Sequence, residues 1–288
     1  MNSFRSIALL ILLPALTGSS ALGQKKANLG DNAALRYWTA FGQMQDSVLT
    51  DGQAKKLNSI LDGTTPYDDL EYKDLVERNK PALEIMARAT TLPICDWGLD
   101  YQMGSEMPQE YVRKALVLGR LNVLYAFRML ITGDKDQAVS VLASGVRFSH
   151  DVANGGSLFA TLVAKSLLVA HVRAMGFALH TGELSGAQLS VLQKAVAQLG
   201  VDGLDWRSAM RRELEIPRAL DPQASSALAK IIPVYVEALN SPATLSDLQQ
   251  MIAGAPPQCS DLIPNPKHVL EEKQDLAGKL QEIRSRLR

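Results

Sequence analysis

Apolar residues recur at spacings of three and four along most of this chain. The longest such stretch, residues 109–200, contains no proline, although the chain has 13. Glycines and capping residues divide it into four predicted helices at 109–132, 134–153, 157–181 and 185–199. In the first, Val112, Leu116, Gly119, Val123, Ala126 and Leu130 form one stripe, and Leu118, Leu121, Leu124, Phe127 and Met129 make the other faces apolar as well. A helix apolar all round is covered on more than one side. Thr132-Gly133-Asp134 reads as a stop followed by a cap, and so does Asn154-Gly155-Gly156-Ser157. Connections this short make successive helices antiparallel neighbours.

Shorter helices precede this block. The first is predicted over 32–49, with Leu35, Trp38, Phe41 and Gln45 as its inward stripe and Asp31 or Asn32 as its cap. Thr50 caps a second at 51–61, ended by Gly63. A third opens at Thr64-Thr65-Pro66, with Asp68, Asp69 and Glu71 complementing its dipole. Asn79-Lys80-Pro81 starts a fourth, and the four are expected to pair as hairpins. Residues 90–108 have no helical period and are punctuated by Pro93, Gly98 and Gly104, so they form a loop. A loop that long points to function or special packing.

The remainder is richer in proline: eight of the 13 lie from Pro217 to Pro266. Helices are predicted at 205–216, 223–232 and 244–253, with 255–266 irregular. Between Lys267 and Arg288 the chain is amphipathic: Val269, Leu276, Leu280, Ile283 and Leu287 repeat, and Lys273 stands in the one missing apolar place. This helix either docks on the domain or forms a dimeric coiled coil; docking on a monomer is the expected outcome. The fold class is all-α, about ten helices in consecutive antiparallel hairpins forming a right-handed arc. One domain spans 24–266, with 109–200 as scaffold and 217–266 as its proline-rich region.

The first 23 residues change the picture, because they have the pattern of a signal peptide. Arg5 precedes an apolar run from Ile7 to Leu16, and Ala21 and Gly23 are small. The protein is therefore expected to be exported, to a periplasm or outside the cell, and no later segment is expected to span a membrane. Lys+Arg and Asp+Glu are balanced at 30 each, so loss of Arg5 leaves a formal charge of −1. No long-range field attracts nucleic acid. The only two cysteines, Cys95 and Cys259, both in irregular segments, are expected to form a disulfide in an oxidising compartment.

Gly133-Asp134-Lys135-Asp136-Gln137-Ala138-Val139 resembles the start of a second helix in tetratricopeptide repeats, although no 34-residue period runs through the chain. Asn32-Ala33-Ala34 with Tyr37-Trp38, the Cys95-Asp96-Trp97-Gly98 and Asp100-Tyr101 loop, and the glycine-bounded helices after it resemble a group of exported all-helical proteins of planctomycete and acidobacterial type. That resemblance implies export and a helical fold, and it brings no activity with it.

Enzyme signatures are lacking. Gly155-Gly156-Ser157-Leu158-Phe159 has no closing glycine and no strand before it, so it is no nucleophile elbow. His150-Asp151 matches the dipeptide of helical metal phosphohydrolases, but no histidine lies upstream to complete a ligand set. With only four histidines, no metal and no cofactor are expected, and no catalytic residue is assigned. The one candidate ligand site is the loop holding Asp96, Trp97, Asp100 and Tyr101, with Arg113 and Arg120 on the helix after it. Two carboxylates beside two aromatic rings suit a sugar-binding cleft. The expected reading, however, is a structural clasp in which the aspartates pair with Arg113, Arg120 or Arg128, Trp97 plugs the core and Tyr101 hydrogen-bonds a backbone carbonyl. The apolar faces of the central helices admit a lipid channel, with plain core packing the simpler reading. Three functions remain open: a module binding a protein or peptide partner in the cell envelope, a carbohydrate or small-ligand binder using the loop, and a purely structural envelope protein.

Overall fold

The computed structural model describes residues 29–45, 49–107, 109–154, 156–181, 183–215 and 222–288. The expected signal segment, Gly155, Pro108 and Pro217 lie outside the described residues. Among those described the chain is all-α, with twelve α-helices and no strand. They are α1 (Ala33–Gln43), α2 (Asp51–Leu61), α3 (Asp69–Ala89), α4 (Glu110–Ile131), α5 (Lys135–Ala153), α6 (Leu158–Thr181), α7 (Gly186–Ala197), α8 (Trp206–Glu215), α9 (Pro222–Ala238), α10 (Leu245–Ala253), α11 (Pro257–Ser260) and α12 (Pro266–Arg286).

Several ends follow local chemistry. Thr50 and Gln53 form a reciprocal capping box on α2, and Ser185 and Gln188 do the same on α7. Asp134 caps α5 by accepting from the Gln137 N–H. Gly133 has φ of 85°, a left-handed conformation that lets α4 stop and α5 start two residues later.

Other expectations fail for tertiary reasons. No helix starts at Asn79-Lys80-Pro81; α3 runs straight through Pro81. Its buried residues Tyr72, Leu75, Val76, Asn79, Ala82, Leu83, Met86 and Ala89 keep one stripe in phase across the proline. Packing of that stripe outweighs an interior proline's cost of about 3 kcal/mol. Pro233 lies inside α9 in the same way. On α1 the inward stripe is Ala33, Ala34, Tyr37, Ala40 and Phe41, while Leu35 and Trp38 remain 45% and 42% exposed. The small alanines let α1 approach α3 closely, which the bulkier pair would prevent.

The core centres on α4, α5 and α6, each packed against the other two. Elsewhere the neighbours are not always consecutive. Instead of α2, α1 packs on α3, and α7 returns to α5 rather than to α6. The far end of the chain, α12, lies against α6, α7 and α10. Val269, Leu276, Leu280 and Ile283 are buried there. Lys273 explains its place in the stripe: its Nζ donates to Leu239 O at 2.6 Å and faces Asp202 at 3.0 Å, capping the exit from α9.

By length and composition α6 could cross a membrane, as a core helix also can; in this fold half of its apolar window is buried by neighbouring helices. The expected disulfide is also absent. Cys95 and Cys259 are free and buried. Cys95 Sγ points at Asp151 O, 3.6 Å away, whereas Cys259 lies in α11, packed under α9.

Candidate functional site

The loop from Cys95 to Tyr101 is held against the core by its tryptophan. Trp97 is buried and stacked: Tyr111 lies 4.3 Å away, Tyr37 5.7 Å and Phe41 6.2 Å, centroid to centroid. Its ring faces are taken by protein, not left for a sugar. The indole N–H donates to Asp151 O at 2.8 Å, satisfying a carbonyl in the last turn of α5. Asp96 and Asp100 are exposed, and each accepts from the backbone N–H two residues on, Gly98 at 2.9 Å and Gln102 at 3.0 Å.

The expected arginine clasp is not made. Arg113 is exposed, Arg120 is half-buried, and neither has an ion pair with a described residue. Arg128 pairs with Asp69 at 2.9 Å and Glu77 at 3.2 Å on α3 instead. Tyr101 lies under the Arg212 guanidinium, 5.7 Å from its centroid. The loop backbone is tied to the cap of α1 instead: Asn32 bridges to both the N–H and the carbonyl of Asp96.

Two polar groups to which sequence alone assigned no structural role lie at the centre of the fold. Asp151 is 0% exposed. Tyr37 donates to its Oδ2 at 2.7 Å, and Arg147 Nε sits 3.0 Å from Oδ1. Burial, then the Asp151 charge, hold the Tyr37 hydroxyl firmly protonated. His171 is the other. Its Nδ1 meets Leu167 O at 2.8 Å and its Nε2 meets Asn122 Nδ2 at 3.1 Å. With Leu167 O as acceptor and the amide as donor, the ring is neutral, protonated on Nδ1. Gly145 makes room for it, since a Cβ there would come within 2.0 Å of Nε2.

Burial lowers the His171 pKa from 6.5 to about 4. The unfolded chain therefore takes up a proton near pH 6.5 that the folded chain refuses until about pH 4. Stability is expected to hold above about pH 7 and to fall through that window by up to roughly 3 kcal/mol. Urea midpoints measured across pH 4–7 check this, and His171→Gln should flatten that part of the profile; an unchanged slope would contradict it.

A large concave feature lies elsewhere, along α6. Two lobes of about 450 Å³ and about 560 Å³ meet at Leu61, Arg173 and Lys279. The floor is one face of α6, from Leu162 through Ser166, Ala170, Arg173 and Phe177 to His180. Those positions recur every three or four residues, so the floor is a straight stripe roughly 27 Å long at about 1.5 Å per residue. One wall comes from α2 and the other from α12; the α4 residues Leu116, Arg120 and Val123 close one end.

Ion pairs line the walls. Lys165 bridges Glu272 and Asp275, Arg173 meets Asp62 at 2.6 Å, Lys279 meets Asp275, and Arg286 lies 4.0 Å from Glu282. Among the described residues no cluster of three or more His, Cys, Asp or Glu could hold a metal ion. No protein-family model, curated protein or solved structure matches this chain.

Proposed function

We propose that this protein is an exported, non-enzymatic helical module that docks an amphipathic helix of a partner protein in the groove along α6. The observation that carries this reading is the groove itself: a helical face about five turns long, where Leu162, Ala170 and Phe177 alternate with Ser166, Arg173 and His180, lying between α2 and α12 and lined by charged pairs. A small molecule needs a site that buries most of its surface, and a groove open along its length suits a longer guest. The described residues include no strand whose edge could recruit an extended peptide. A helix is the guest whose ridges match a stripe repeating at three and four.

The right-handed, tetratricopeptide-like arc expected from sequence belongs to the same proposal. It is supported by the mutual packing of α4, α5 and α6, where one hairpin stacks on the first helix of the next; the return of α7 to α5 departs from that scheme. Export rests on the pattern of residues 1–23. A monomer is favoured because the apolar stripe of α12 is already buried within its own chain.

The test is selection of helical peptides from a display library on the mature chain, with a counter-screen on Ser166→Trp. Ser166 is exposed on the groove floor, so the indole should fill the groove without disturbing the core. Peptides that bind the wild type are expected to lose at least about tenfold in affinity on the variant, at unchanged Tm. If no selected helix depends on an open groove, the reading is wrong.

A further inference from the structure

Every cation in the groove but one is answered by a carboxylate. Lys165, Arg173, Lys279 and Arg286 each lie within ion-pair distance of an acidic side chain. The acids that line the two lobes, Asp62, Glu272, Asp275 and Glu282, are all used in those pairs. Arg120 is left over. It reaches the groove from α4 between Leu116 and Val123, it is half-buried, and it has neither an ion pair nor a hydrogen bond with any described residue.

A guanidinium carries five donors in a fixed fork matched to a carboxylate. Held beside apolar walls and shielded in part from water, its attraction for an anion is stronger than at an open surface. It is also the surplus charge of the groove, so an approaching guest meets a local positive potential at the α4 end and balanced charge elsewhere. Arg113, two turns earlier on the same helix, is exposed and offers no such setting.

Resting on the groove as the docking site, we infer that Arg120 reads an acidic residue of the guest helix. The partner segment presents apolar side chains to the α6 floor at helical spacing. It carries one Asp or Glu placed to pair with Arg120 where the groove meets α4. Arg120 thereby fixes the direction and register in which the guest lies, because the carboxylate has one cation free to take it.

The test uses groove-dependent peptides, those whose binding Ser166→Trp abolishes, on the full mature chain. Most are expected to carry Asp or Glu at one position relative to their apolar anchors. Replacing that acid by Lys should weaken binding by about tenfold or more. Arg120→Glu should reverse the preference, so that the Lys peptide binds tighter than the acidic one. Melting temperature reports whether the variant folds, and Arg120→Gln, which should erase the preference without reversing it, serves if Arg120→Glu does not. Groove-dependent helices without an acidic preference, or with one that Arg120→Glu leaves in place, would overturn this inference and leave the docking site standing. If no groove-dependent helix is found at all, the docking site falls and the role of Arg120 falls with it.

Discussion

Asp151→Ala should destabilise the protein by about 3–5 kcal/mol, the range for removing one member of a buried charged pair. The side chain is 0% exposed and ties α5 to α1. Without it, the buried Tyr37 hydroxyl loses its acceptor and Arg147 its carboxylate. A buried donor left without a partner costs more than the bond itself was worth. Asp151→Asn retains an acceptor for Tyr37 and should lose less, on the order of 1–2 kcal/mol. Adding Tyr37→Phe to Asp151→Ala should recover part of the loss, because the stranded hydroxyl is gone. Chemical denaturation of the four proteins checks this; equal midpoints for wild type and Asp151→Ala would contradict it.

Trp97→Ala should cost a similar amount, about 3–5 kcal/mol, for a different reason. The ring fills the space among Tyr37, Phe41 and Tyr111, and its N–H closes the end of α5 on the Asp151 carbonyl. Truncation removes the packing and leaves a cavity where no side chain can follow. Trp97→Phe keeps much of the ring and drops the hydrogen bond, so it should cost about 1–2 kcal/mol. Since Trp97 and Asp151 share one network, the double alanine variant should lose less than the two single losses added together. Unchanged melting of Trp97→Ala, with some sugar bound by the wild type and lost in the variant, would restore the loop as a ligand site.

How much of this was legible in the sequence depended on how local each signal is. Caps are local: Thr50 and Asp134 act on backbone groups three residues away, and each was readable where it stands. Proline was misleading. Pro81 and Pro233 read as helix breaks, and the packed stripes on either side of each carry the helix through. On α1 two stripes one residue apart fit the same period, and the sequence favoured the bulkier one while the fold buried the alanines.

The polar centre was harder still. Asp151 looked like half of a metal dipeptide beside His150, but its partner Tyr37 is 114 residues away. His171 had no local signal; its burial depends on Gly145 and Asn122 of two other helices. The groove had no sequence signature at all, because α2, α6 and α12 come together from opposite ends of the chain. Arg120 was singled out as a partner for Asp96 and Asp100. Its actual distinction, being the one groove cation left without a carboxylate, appears only once every other pair is known.

The claim that the α6 face is the docking surface is tested most directly by methyl NMR of the protein titrated with a groove-dependent helix. The account predicts that Leu61, Leu162, Val169 and Ile283, which line the groove, shift on binding, and that they stay still in Ser166→Trp. Shifts confined to Leu35 and Ile94, exposed beside the Trp97 loop, with the groove methyls unmoved, would contradict it.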